Sequence, residues 1–215
     1  MSDNERQPQR CETLFRRIID RTGDASSDAN ELLKCFARGY SLENLRELLR
    51  SDDAEVAKSG VWIASELGAG AKPLLEDIAP ILQSSISYAR FFAIDAILTC
   101  AGPEDGPTIA RAIDLVADPD AGVRWKAVQF VSRATVEQLA AAADFVDAEI
   151  KPGVVALAHH GETESLLASA SPSLRKLGLA AAIREMQTNR APIDAAVTSA
   201  DEEISTWASE ALEGI

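Results

Sequence analysis

Five short cassettes recur along this 215-residue chain, each a polar turn, an apolar residue and, four positions later, a small one. They are Val56 with Gly60, Ala89 with Ala93, Val123 with Ala127, Leu174 with Gly178, and Ile204 with Ala208. An i, i+4 pair lies on one face of a helix, so each cassette marks a helix that buries one stripe. Successive anchors are 33, 34, 51 and 30 residues apart. A period near 30 residues implies stacked helix-turn-helix units, a helical solenoid, before any single globular core.

Composition agrees with that architecture. The chain is 47% apolar but only 5% aromatic, and Ala and Leu dominate, which suits closely packed helices rather than sheets. A net charge of −13 makes long-range attraction to nucleic-acid phosphates or anionic membranes unfavourable unless basic residues are segregated locally. A basic or neutral protein partner fits better, although acidity also serves solubility alone. Cys11, Cys35 and Cys100 have neither metal-type spacing nor disulfide-scaffold density, and they read as ordinary reduced cysteines. Met1 to Arg10 lacks the apolar core of a secretion signal, and no apolar run is long enough to cross a bilayer, so the expected address is cytoplasmic.

Helical spacing of Leu14, Ile18 and Ile19, then of Leu32, Leu33 and Phe36, predicts two capping helices after a frayed start, over Cys11–Arg21 and Ala29–Tyr40. Ser41 reads as an N-cap, Gly68 and Gly70 as a helix stop, and Pro80 as a kink or a tightening of its helix. The Ala-rich stretch Val136–Ile150 predicts a long helix, broken by Pro152 and Gly153, with Val154–His159 as a truncated second helix of a divergent unit. The expected organisation is one continuous domain. Residues 1–40 form an N-terminal cap, 41–133 regular repeats, 134–161 an irregular or divergent repeat, and 162–215 further repeats.

Asp118-Pro119-Asp120, leading into Val123-Arg124 and Ala127, resembles the HEAT-repeat consensus, in which an aspartate turn precedes Val-Arg and a small residue. Ala89-Arg90 with Ala93 and Leu174-Arg175 with Gly178 resemble it too, whereas Ala57 and Ser205 replace the arginine. The resemblance implies an all-α, right-handed α-α superhelix, a HEAT/armadillo-like solenoid. The run Val61 to Gly68, with Phe91 to Asp95, is similar to small bacterial HEAT-repeat proteins, some of which are immunity proteins that neutralise a cognate toxin.

In such a stack the second helices line the concave wall. Positions two, three, six, nine and ten after each anchor should then point away from the core. The rule selects a partner-binding set of Lys58, Ser59, Trp62, Glu66, Phe91, Phe92, Asp95, Trp125, Lys126 and Gln129. Trp62, Phe91, Phe92 and Trp125 would form an aromatic platform, or alternatively wedge between helix pairs as core. Asp95 reads as an acceptor for a basic side chain or as a helix-surface charge. Arg90, Arg124 and Arg175, one place after their anchors, are expected to bond to the preceding turns. The adjacent His159 and His160 read as a helix end, since no carboxylate or cysteine at helical spacing completes a metal site.

No catalytic residues, metal site or cofactor are expected, because no nucleophile–base spacing or phosphate-binding glycine loop occurs. The leading expectation is a non-catalytic protein-binding module, in its sharpest form an immunity protein that occludes a basic toxin. Two alternatives come from resemblance to other HEAT-like proteins. One is excision of alkylated bases from DNA, using Lys58, Arg90, Arg124, Lys126, Arg133 and Lys176 as a basic strip. The other is a lyase or chaperone for a bilin-type cofactor. A generic adaptor is the plainest reading.

Overall fold

The computed structural model describes residues 3–159 and 161–214; His160, one of the two expected helix-end histidines, lies outside them. Among the described residues there are helices and turns and no strand. The chain divides into two compact units between Cys100 and Ala101.

In the first unit the helices are α1 (Asp3–Ile19), α2 (Ala25–Phe36), α3 (Leu42–Leu49), α4 (Ala54–Glu66), α5 (Leu75–Ile78) and α6 (Ser87–Cys100). The α1–α2 and α3–α4 hairpins pack as pairs, and α2, α4 and α6 lie side by side as an inner layer. Ser41 caps α3 as expected, its hydroxyl accepting from Glu43 N–H. After α4, Gly68 adopts φ +54°, and the backbone tightens to 3-10 geometry over Gly68–Leu74 and again, at Pro80, over Ala79–Gln83. The cap differs from expectation, since α1 begins at Asp3, well before Cys11.

The second unit contains α7 (Gly106–Asp114), α8 (Ala121–Arg133), α9 (Val136–Ala142), α10 (Lys151–Ala158), α11 (Thr163–Leu167), α12 (Pro172–Glu185), α13 (Ala191–Val197) and α14 (Glu202–Glu213). Its inner helices α8, α12 and α14 follow one another, with α8 packed directly on α12. That contact explains the 51-residue spacing between the Val123 and Leu174 anchors. Helix α9 packs on α7, and α10 packs on both α9 and α12, so the additional residues form an extra helix pair.

Two local expectations fail here for physical reasons. The long Ala-rich helix stops at Ala142, because Asp147 N–H bonds the Asp114 carboxylate at 3.0 Å, and Asp147 in turn accepts from Glu149 N–H. Tertiary contacts outweigh alanine propensity. Pro152 starts α10 instead of breaking a helix, occupying the first turn, where its missing N–H costs nothing. His159 ends that helix as its C-cap.

The cassettes have a common construction. Asp53, Asp120, Ser171 and Asp201 each lie three residues before an anchor, and each accepts a hydrogen bond from that anchor's N–H. Val56, Ala89, Val123 and Ile204 are at most 2% exposed, whereas Leu174 is half-buried, its side chain lying against Gly153 of α10. The small residues admit a neighbouring backbone. A Cβ on Gly60 would meet Leu48 Cβ at 2.9 Å and Leu49 N at 3.1 Å.

The arginines behave as the sequence suggests. Arg90 donates to Ser84 O at 2.8 Å, Arg124 to Asp118 O at 2.8 Å and Arg175 to Ser169 O at 3.0 Å, each six residues back. Arg175 also reaches Asp201 at 2.7 Å, tying one turn to the next. Arg184 of α12 donates to the carbonyls of Val131, Ser132 and Ala134, closing the C-terminal end of α8.

The reading of three reduced cysteines is overturned. Cys11 of α1 and Cys35 of α2 form a disulfide with their Cα atoms 5.9 Å apart, while Cys100 is a buried thiol. Folding the α1–α2 hairpin creates this proximity, which a separation of 24 residues does not reveal.

Candidate functional site: an aromatic groove on the inner helices of the first unit

The inner layer of the first unit carries an open groove of about 350 Å³. One wall is α2, through Ala25, Ser26, Ala29 and Asn30; the floor and far wall are α4 and α6. The apolar surface comes chiefly from Trp62, Tyr88 and Phe92. Tyr88 is 67% exposed and tilts towards Phe92, their ring centroids 6.4 Å apart, and Phe91 meets Phe92 edge-on at 5.5 Å. Lys58 lines the same groove and is ion-paired with Glu55 one turn earlier.

Of the residues selected by the helical rule, the structure brings Lys58, Ser59, Trp62 and Phe92 together in this groove. Ser59 departs from the rule: it is 7% exposed, and its hydroxyl donates to Glu55 O. The backbone acceptor explains the burial of a hydroxyl at a position expected to be open. Glu66 is exposed at the end of α4 and does not line the groove, while Phe91 and Asp95 are half-buried on α6. Tyr88 was missed because it fell in the expected turn before Ala89, yet its i, i+4 relation to Phe92 was readable once α6 was known to begin at Ser87.

Trp125, Lys126 and Gln129 belong to α8 of the second unit, all half-buried. Trp125 stacks on Trp207 of α14, ring centroids 5.3 Å apart and planes 19° from parallel. Since Trp207 is 6% exposed, this aromatic pair acts as packing between inner helices, the alternative left open for the platform residues.

The basic strip needed for a nucleic-acid reading is largely consumed internally. Lys58 pairs with Glu55, Arg90 bonds a turn carbonyl, and Arg124 holds both its turn and Glu203. Lys176 is 7% exposed with Nζ 3.3 Å from Glu203. Among the described residues no group of three or more His, Cys, Asp or Glu side chains is placed to hold a metal ion. Nor is any described helix long and apolar enough to cross a membrane.

The fold is an α-solenoid, similar to that of solved designed armadillo repeat proteins. The designed armadillo repeat protein YIII(Dq.V1)4CPAF, solved in complex with the peptide (KR)4, is 17% identical with a TM-score of 0.53, and 99% of each chain is covered. A second designed armadillo repeat protein, YIII(Dq)4CqI, is 19% identical with a TM-score of 0.52, covering 96% of this chain and 98% of that one. An engineered protein solved by crystallography is 18% identical, TM-score 0.50, with 99% and 98% covered. At these identities the likeness is one of fold. No protein-family model matches the chain, and no curated protein sequence does.

Proposed function

We propose that the chain is a non-catalytic binding module that holds a segment of another protein, with the α2–α4–α6 groove as its contact centre. The observation that carries this reading is the gathering of Trp62, Tyr88 and Phe92 at one open groove in a chain that is only 5% aromatic. Large aromatic side chains supply most of the energy at protein interfaces when a partner covers them. The net charge of −13 favours a basic partner and raises its rate of encounter. That one similar solenoid was solved with a (KR)4 peptide supports a segment of this chemistry as the first probe. In its sharper form, the partner is a basic toxin that the module neutralises by occlusion within the cytoplasm.

Titration of the (Lys-Arg)4 peptide against the purified chain, followed by tryptophan fluorescence and calorimetry at low and high salt, tests the reading. Expected are salt-sensitive binding and at least a tenfold loss of affinity on Trp62→Ala or Tyr88→Ala. Absence of binding at low salt, or binding indifferent to both substitutions, refutes it.

A further inference from the structure

The groove wall α2 is covalently tied to α1 at Cys35, and the position of that tie suggests more than stiffening. Cys11 and Cys35 both line two adjoining surface clefts, which also share Gln7 and Arg38. One, of about 370 Å³, is rimmed by Arg10, Glu31, Lys34 and Arg38, and the other, of about 490 Å³, by Pro8, Gly39 and Tyr40. Cys11 and Cys35 are only 3% and 7% exposed, but the clefts bring solvent up to both residues. The first cleft sets three cations against one carboxylate, a collar that attracts a small anionic thiol.

The hairpin it closes is held along a single seam. Leu14, Phe15 and Ile18 bury against α2, and Tyr40 donates to Glu12 at 2.8 Å. The same seam buries Asp28, 3% exposed, whose Oδ2 is ion-paired with Arg17 Nε of α1 at 3.1 Å without a well-aligned hydrogen bond. The Arg17 side chain is 45% accessible, so water and salt screen the pair and it adds little to the closure of the hairpin. A first helix pair in a stack is also supported by neighbours on one side only.

We propose that the Cys11–Cys35 disulfide is a redox latch for the binding groove: oxidised, it fixes α2 as the groove wall, and reduced, it lets the α1–α2 hairpin open. A thiolate attacks one sulfur to give a mixed disulfide and releases the other cysteine. A second thiol then attacks the reductant's sulfur in that mixed disulfide and expels the remaining cysteine as its thiolate, leaving two cysteine thiols in the protein and one disulfide between the two reductant sulfurs. The latch rests on the groove as the binding site only for its consequence; its opening can be read without a partner.

Hydrogen exchange resolved by mass spectrometry, on the full chain with and without excess dithiothreitol, is the test. Removing a crosslink across 24 residues is expected to speed opening-limited exchange in α1 and α2 about 100-fold, with α14 unchanged. Cys35→Ser should match the reduced protein and ignore reductant, whereas Cys100→Ser should still switch. Equal exchange in both redox states, or three titratable thiols in unreduced denatured protein, overturns the latch. Failure of (Lys-Arg)4 to bind the oxidised chain would instead overturn the groove reading, so the two fail separately.

Discussion

Gly178 sits in the small-residue slot of its cassette, and replacing it with alanine sets two effects of opposite sign against each other. A methyl group placed there falls 2.5 Å from Leu167 N, 2.8 Å from Leu166 C and 3.0 Å from Leu166 Cβ, so α11 would have to retreat from α12 by about 0.9 Å to restore ordinary contact. Two of those atoms are backbone and cannot rotate away. Overpacking of this kind costs about 1–3 kcal/mol, while alanine in a helix interior returns about 0.5–1 kcal/mol of conformational entropy. Gly178→Ala should therefore destabilise by about 1–2 kcal/mol. At Gly60 the nearest atoms are at 2.9 and 3.1 Å, and the two effects should nearly cancel. Gly70, whose nearest neighbour is 4.0 Å away, is the control, expected to be neutral or slightly stabilising. Urea unfolding followed by far-UV circular dichroism reads all three variants. A Gly178→Ala protein as stable as the wild type, or the order Gly70 below Gly178, would refute the view that these slots exist to admit a neighbouring backbone.

Arg184→Ala removes the donor to three carbonyls at the end of α8 and should cost about 1.5–3 kcal/mol, with Arg184→Lys intermediate, in the same urea assay. No loss in the alanine variant would show that water serves those carbonyls equally well. Burial acts to raise the Asp201 pKa, but Arg175 and the N–H groups of Ile204 and Glu203 outweigh it and leave the carboxyl below its ordinary value. Its contribution is complete above the unfolded carboxylate pKa of about 4 and is lost as pH falls through the lowered folded value. Asp201→Asn should accordingly flatten the decline of the urea midpoint in that acid range, and an unchanged decline would contradict the assignment.

The inner helices were legible because one-sided burial imposes a 3.6-residue period, and that period survives in Val56, Val123 and Ile204 even where the arginine is replaced. The turn-binding arginines were legible for a related reason, since a cation at a fixed place in three of the five cassettes meets the equivalent carbonyl each time. Cys11 with Cys35 was not legible, because their meeting depends on how two helices fold back on one another. Nor was the stop at Ala142, which a distant Asp114 dictates. At the site, Trp62 and Phe92 followed from counting forward from an anchor, whereas Tyr88, one residue before its anchor, lay outside the count, and Trp125 turned out to have an aromatic neighbour 82 positions away in Trp207.

Helices α9 and α10 add a pair to the second unit while α8 and α12 stay in direct contact. A helix pair inserted at this point leaves the α8–α12 contact in place. The unit can therefore gain or lose such a pair without parting the two helices that the longer spacing sets apart in sequence.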